Sequence, residues 1–186
     1  MNTKHLYISA GVLAVLAIIT SILTSTSSAP LLDERVGSNV VDPANLRDTA
    51  KIVVETDGEK ITLVNDEEKK AWVLEEKHSL PTSYNRISQL ARNVSEAKLQ
   101  RLVSENPDRI ATLGFEGGDR IQFIDKLDND IVAFGLGTET ENGRQFLRFN
   151  GDEKAFLVNT TFYIDSNLDS WLEKKLVSFE ANDVTA

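Results

Sequence analysis

The chain has 186 residues, 41% of them hydrophobic, which is enough for one folded domain with a core. All 29 acidic residues and nineteen of the 20 basic residues lie from Asp33 onward, so that portion carries a formal charge of −10. A surface this acidic repels nucleic acid, and we expect no nucleic-acid partner. The absence of cysteine excludes disulfides, thiolate catalysis, cysteine-ligated zinc and a lipid-modified cysteine anchor.

Residues 6–23 read LYISAGVLAVLAIITSIL and carry no charge. A helix of this length spans about 27 Å, close to the hydrocarbon thickness of a bilayer. Lys4, in the short n-region of residues 1–5, predicts that the N-terminus stays in the cytoplasm and that the acidic remainder lies outside it. The pattern therefore predicts a single-pass transmembrane anchor.

A cleaved signal peptide is the alternative interpretation of the same residues. Its best cleavage site, Ser27-Ser28-Ala29, is followed by Pro30, whose ring and missing N–H make that bond a poor substrate. Cuts after Ser25 or Ser27 remain open. Because the apolar run exceeds the usual h-region of about 7–15 residues, an uncleaved anchor is favoured. A buried helix of a soluble protein is a third interpretation.

Residues 24–45 are rich in Ser, Thr, Asp and Asn and contain two prolines, Pro30 and Pro43. This composition is typical of a flexible tether. An extracytoplasmic domain is then predicted over residues 46–186. Within it, residues 50–56 and 59–65 form the clearest hairpin pattern of the chain, since they flank a tight Asp57-Gly58.

The apolar period then changes to that of a helix. After a third predicted strand at residues 71–76, Ile87, Leu90, Ala91 and Val94 fall on one helix face, with Pro81 ahead of it and Thr82 or Ser83 as its cap. The pattern of residues 97–105 fits either more helix or a strand. Residues 106–114 read NPDRIATLG and predict a short capped helical turn. Later strands are predicted at residues 119–125, 131–137, 144–150 and 154–160, with a short C-terminal helix at 166–176.

The predicted fold is therefore α+β. It consists of antiparallel strands (a β-hairpin, a third strand and a later meander) with one main helix and a short C-terminal helix, preceded by one N-terminal transmembrane helix.

The order of these features resembles the domain-of-unknown-function 4340 family of bacterial membrane-anchored proteins. The similarity covers residues 42–184 and is carried by Lys51–Glu55, Trp72, Pro81, Asn106-Pro107, Leu113-Gly114, Gly135, Gly137, and the runs FLRFNGDEKAFLV and SWLEKKLVSF. These are packing and turn residues. The resemblance implies an inner-membrane protein whose domain lies in the periplasm or outside the cell, and some relatives look like accessory parts of ABC-type transport systems. It implies no catalytic residues.

Few residues of the chain suggest chemistry. His78 could pair with Ser79, Ser83 or a carboxylate, but an exposed loop histidine is the simpler interpretation. Asp125–Asp130 is the best cation candidate, although it lacks the EF-hand spacing and a hairpin turn is favoured. The glycines of Gly114–Asp119 and of Gly135–Gly137 lack the remaining residues of a phosphate-binding motif, and the latter are interpreted as a turn that ends a strand.

We therefore predict no catalytic, cofactor-binding or metal-binding residues and no cofactor. The expected function is that of a non-enzymatic, membrane-anchored interaction domain whose partner is an envelope protein, with ABC transporter components as candidates. The alternative is a module that binds a small molecule or lipid in an apolar pocket between the sheet and the helix of Ile87–Val94. An envelope hydrolase is a third hypothesis and would need polar residues converging around His78 or the carboxylates.

Overall fold

A computed structural model of the chain describes residues 33–174. The predicted anchor at residues 6–23 and the end of the predicted C-terminal helix lie outside the described residues. Among the helices of residues 33–174, none is long and apolar enough to cross a membrane.

Nine strands and two α-helices make up the described chain. The strands are β1 (Thr49–Thr56), β2 (Glu59–Asp66), β3 (Ala71–Leu74), β4 (Leu80–Pro81), β5 (Leu99–Ser104), β6 (Arg120–Asp125), β7 (Asp130–Thr140), β8 (Arg144–Phe149) and β9 (Ala155–Val158). The helices are α1 (Tyr84–Glu96) and α2 (Pro107–Ala111), with 3-10 turns at Asn45–Asp48, Glu75–Lys77, Phe115–Gly117 and Leu168–Trp171.

The strands form one antiparallel sheet in the order β4-β3-β2-β1-β6-β7-β8-β9-β5. The hairpin β1–β2 and the meander β6–β9 follow the chain, as the sequence predicts. The pairing of β1 with β6 joins these two halves. The main helix α1 connects β4 to β5, the two edge strands of the sheet.

One face of the sheet carries the core. Residues that lie directly opposite each other on paired strands point to the same face, and Leu63, Ile52 and Phe123 form such a row across β2, β1 and β6. All three are almost completely buried. The helix α1 contributes the buried side chains that its apolar spacing predicts, Ile87, Leu90 and Val94.

The structure decides one element that the sequence leaves open and corrects another. Residues 97–105, which the sequence leaves open, contain the strand β5 because it pairs with β9. The predicted helix at 166–176 is only a 3-10 turn, Leu168–Trp171, within the described residues. Trp171 in this turn is a buried core residue, and its carbonyl accepts the Ser83 backbone N–H at 2.8 Å, which fixes the turn at the start of α1.

The predicted tether is too long. Residues 33–41, called the arm below, lie against the domain: the Gly37 N–H donates to the Leu99 carbonyl at 2.7 Å, and the Val40 N–H donates to the Ala97 carbonyl at 2.8 Å. Val40 is buried in the core. The arm thus covers part of the free edge of β5, which would otherwise expose unpaired backbone groups. Residues 24–32 of the predicted tether lie outside the described residues.

Ion pairs fasten the arm at its beginning. Asp33, whose side chain is 6% exposed, accepts hydrogen bonds from the Arg35 Nε at 3.0 Å and the Lys154 Nζ at 3.0 Å. Arg35 also donates to Asp152 at 2.6 Å, and its Cζ lies 4.6 Å from the centre of the Phe156 ring. The hydrogen bonds from the Arg35 side chain, followed by those from its backbone and from Lys154, hold the pKa of Asp33 well below its usual range.

We expect Asp33→Asn to destabilise the full-length protein by about 1–2 kcal/mol at pH 7, since charge-assisted hydrogen bonds to half-exposed partners are lost. A depressed pKa means that the Asp33 carboxylate stabilises the fold above its unfolded pKa of about 3.9 and loses this effect as the pH falls. Urea unfolding from pH 7 to pH 3 should therefore show a gap between wild type and variant that is constant above about pH 5 and narrows below pH 4. A gap that widens on acidification would contradict this assignment.

Candidate functional site

The face of the sheet opposite α1, called the open face below, carries a row of charged side chains. The strand registers place Lys60, Glu55, Arg120, Gly135 and Arg148 directly opposite one another across β2, β1, β6, β7 and β8. Because opposite residues share a face, their side chains lie on one line across the sheet. The line holds three positive charges and one negative charge, with a gap at the glycine.

The chain between α2 and β6 covers one end of the open face. The Thr138 N–H donates to the Leu113 carbonyl at 2.8 Å, and the Leu136 N–H donates to the Asp119 carbonyl at 2.8 Å. This contact needs Gly137, because a Cβ there would collide with the Leu113 carbonyl oxygen and lie 3.0 Å from the Phe146 Cβ. The glycines Gly135 and Gly137 lie within β7, so their interpretation as a turn that ends a strand is wrong. They instead mark a close approach of a second segment to the strand.

A cleft of about 420 Å³ lies between this cover and the open face. Apolar side chains form part of its wall, and charged or amide side chains form the rest. Its lining includes Val53, Ile110, Phe115 and Ala133 on the apolar side and Glu55, Glu116, Arg120, Gln122, Arg148 and Asn150 on the polar side. A concave site with apolar walls and a few polar groups has the general composition of a ligand site.

Within residues 33–174 only Arg35 and Arg86 make ion pairs, and the two arginines of the cleft belong with the arginines that make none. Within residues 33–174, neither Arg120 nor Arg148 makes an ion pair or a side-chain hydrogen bond, and both are exposed. By contrast, Arg35 binds two carboxylates and Arg86 lies 3.3 Å from the Asp165 carboxylate. The cleft therefore presents two guanidinium groups that make no ion pair, beside the carboxylates of Glu55 and Glu116.

A second hollow of about 470 Å³ adjoins the cleft. It lies beside the arm, is lined by Arg35, Val40, Asp42 and Asp130 among others, and shares Ala133, Phe149 and Asn150 with the cleft. The two hollows therefore meet at the shared end of β7 and β8. Two arginines and two glutamates line the cleft, so their formal charges balance, whereas Arg35, Asp42 and Asp130 leave the second hollow with a net negative charge.

The structure does not place the His78 side chain beside a nucleophile or a carboxylate with which it could act in catalysis. His78 follows the 3-10 turn after β3 and has a left-handed backbone, with φ of 53°. Within residues 33–174 its side chain makes no hydrogen bond or ion pair with a nucleophile or carboxylate. It is not among the residues that line the cleft.

The acidic segment Asp125–Asp130 is a hairpin turn, as favoured from the sequence. The Asp125 Oδ1 accepts the backbone N–H groups of Leu127 at 2.8 Å and of Asn129 at 2.9 Å. The hydrogen bond from the Asn129 backbone is the main cause that lowers the pKa of Asp125. Within residues 33–174, no group of three or more His, Asp or Glu residues is placed to hold a metal ion.

The cleft does not lie between the sheet and α1, where the sequence suggested an apolar pocket. The three α1 side chains that face the sheet are buried in the core, and Val94 is fully enclosed. The cleft lies on the other face of the sheet. Sequence reasoning missed Arg120 and Arg148, which are 28 positions apart and become neighbours only through the register of β6, β7 and β8. The signal that could have pointed to them is Gly135 inside a strand pattern.

A comparison of the chain with family models identifies its family. The model described as Domain of unknown function (DUF4340) matches residues 72–186, more than half of the chain. The chain belongs to this family. The matched range of this DUF4340 protein includes α1, α2 and β5–β9, and therefore most of the cleft, whereas the arm and the hairpin β1–β2 precede it. No curated protein and no solved structure matches the chain.

The two glycines of β7 should respond differently to alanine. Gly137→Ala forces the Leu113 carbonyl away and should lower the free energy of unfolding by about 1–3 kcal/mol. Gly135→Ala is the matched control, since its Cβ would come no closer than 3.8 Å to any atom, and should change stability by less than about 0.5 kcal/mol. Urea unfolding of both variants measures the two changes in the free energy of unfolding. Equal changes would contradict the close packing of the segment that contains Leu113 against β7.

The arginines should also differ in reactivity. We expect 1,2-cyclohexanedione to modify Arg120 and Arg148 several-fold faster than Arg35, whose guanidinium is occupied by Asp33 and Asp152. Mass spectrometry of proteolytic peptides gives the rates. Arg144, an exposed arginine on β8 outside the cleft, is the control and should react about as fast as Arg148. Modification of Arg35 at the same rate would show that the ion pairs of the arm are not formed in solution.

Proposed function

We propose that this protein is a membrane-anchored, extracytoplasmic domain without a catalytic role, and that its cleft binds a segment of another envelope protein. The observation that carries the proposal is the cleft itself, because it combines an apolar wall with two guanidinium groups that lack partners among residues 33–174. A surface protein segment with both apolar and acidic side chains complements such a site. Components of an ABC-type transport system are the first partners to test.

The length of the connection to the anchor supports this proposal. If residues 6–23 span the inner membrane, residues 24–32 are the only chain between the bilayer and the docked arm. Nine extended residues reach at most about 30 Å. Such a short connection would keep the cleft close to the membrane surface, where the extracytoplasmic parts of membrane proteins are its nearest candidates for binding.

The proposal includes no catalysis because the described residues offer no oriented acid, base or nucleophile to assign. A general base needs a hydrogen-bond partner that orients it, and His78 has none within residues 33–174. The carboxylates that line the cleft, Glu55 and Glu116, face it together with two arginines. This mixture suits the binding of a charged ligand.

A small-molecule or lipid ligand is the second candidate function. The cleft volume of about 420 Å³ favours it, since ligand pockets commonly enclose about 300–1,000 Å³. The two candidates place different ligands in the same site. A crosslinking experiment in intact cells distinguishes the two candidate functions, because only a protein partner gives a crosslinked product of defined higher mass.

Site-specific photo-crosslinking tests the proposed function. A benzoylphenylalanine is placed at Ala111, an exposed residue of the cleft wall, in the full-length membrane-bound protein. Its matched control is Leu127, which is 82% exposed in the turn between β6 and β7 and is not a residue of the cleft. We expect one product of defined higher mass from position 111 and none from position 127.

The product must also depend on the shape of the cleft. Gly135→Trp, which fills the cleft floor, should abolish the product at position 111 while the protein remains at its normal level in the membrane. Products of equal yield from positions 111 and 127 would contradict the proposal. The absence of a product from position 111 would contradict a protein partner and favour a small-molecule or lipid ligand in the cleft.

A further inference from the structure

The positive charge of the open face is concentrated at Gly135. Glu55 lies directly opposite Lys60 on one neighbouring strand and directly opposite Arg120 on the other, and within residues 33–174 it makes an ion pair with neither. Beyond Arg120, the row continues with Gly135 and then Arg148, and no acidic residue lies between them. The position above Gly135 is therefore flanked by a guanidinium on each side.

The glycine also leaves room at this position. A Cβ built on Gly135 would lie in van der Waals contact, 3.8 Å from the Asp119 carbonyl oxygen and 4.0 Å from both the Arg148 carbonyl oxygen and the Phe115 ring, so one methyl-sized group of a ligand fits against the strand there. Neighbouring strands are about 4.8 Å apart, which places the backbones of Arg120 and Arg148 about 10 Å apart. Two arginine side chains on either side of such a gap can direct their N–H groups to one oxyanion.

The chemistry of the cleft favours a singly charged anion. Glu55 and Glu116 also line the cleft and repel every anion that enters. A phosphate monoester carries about −1.5 to −2 at pH 7 and is repelled more strongly than a carboxylate with one charge. The apolar side chains of Ile110 and Phe115 complement the hydrocarbon that accompanies a carboxylate in a peptide.

We propose that Arg120 and Arg148 together bind a carboxylate of the partner segment above Gly135, and that this carboxylate determines which segments the cleft accepts. The inference rests on the proposed function, because it names the chemistry of the segment in the same cleft. The carboxylate comes either from an acidic side chain or from a chain terminus. Both sources offer the same two oxygens to the guanidinium groups.

Peptide titration of the full-length protein in detergent micelles tests the inference. The probes are acetyl-Leu-Glu-Leu-amide with a side-chain carboxylate, acetyl-Leu-Gln-Leu with a free terminal carboxylate, acetyl-Leu-Gln-Leu-amide with neither, and inorganic phosphate. The readout is the NMR signal of the Gly135 backbone N–H and of the Nε–H groups of the two arginines. We expect shifts from at least one carboxylate peptide, and which of the two binds more tightly identifies the source.

The variants Arg120→Gln and Arg148→Gln should each weaken binding of that peptide about tenfold, because each removes a charge-assisted hydrogen-bonding group. Arg144→Gln is the matched control, since it removes the same charge from the same strand at a residue outside the cleft. It should leave the affinity unchanged within about twofold. Unchanged urea unfolding curves for all three variants show that the fold is intact.

Several results would overturn the inference. These are equal shifts from the neutral peptide, tighter binding of phosphate than of both carboxylate peptides, no shift at Gly135 with any probe, or equal losses of affinity in Arg144→Gln and Arg148→Gln.

Failure of the carboxylate site can be distinguished from failure of the proposed function. A crosslinked partner at position 111 that persists in the double variant of Arg120 and Arg148 overturns the carboxylate site alone. Carboxylate binding without a crosslinked protein overturns the protein partner and retains the anion site.

Discussion

The pairing of β1 with β6 is the constraint on which the rest of the domain depends. It joins the hairpin β1–β2 to the meander β6–β9, and its register places Ile52 opposite Phe123 on the buried face. The same register places Glu55 opposite Arg120 on the open face. A slip of one residue would turn the buried side chains outward and disperse the charged row, since side chains alternate between faces. Burial of the core therefore also fixes the geometry of the cleft.

The two faces of the sheet are covered differently because residues 33–174 contain only one long helix. The helix α1 covers one face, and the open face is covered only in part, by the segment that contains Leu113 and Phe115. This partial cover depends on Gly137 and creates the cleft beside it. The arm and the residues that follow Trp171 cover no face of the sheet. They lie along its edge strands and pair with backbone groups there, which would otherwise favour association with other chains.

Local patterns of the sequence predicted the elements that local interactions decide. The Asp57-Gly58 turn, the apolar face of α1 and the turn that Asp125 closes on itself all depend on residues close together in the chain. The arm was missed because its composition is that of a linker, whereas the ion pair of Asp33 with Lys154 joins positions 121 residues apart. The proximity of Arg120 and Arg148 was missed for the same reason, because strand register is decided by the burial of the opposite face and is not encoded near either arginine.

The register of β1 and β6 can be measured directly because the chain contains no cysteine. Side chains directly opposite each other on antiparallel strands have Cβ atoms about 4.5–5.5 Å apart, close to the range of a disulfide. The double variant Glu55→Cys, Arg120→Cys should therefore form an intramolecular disulfide under mild oxidation, detected by mass spectrometry after proteolysis, while Glu55→Cys, Ile121→Cys should stay reduced. Efficient oxidation of the second pair and not the first would contradict the register, and with it both the core and the cleft described above.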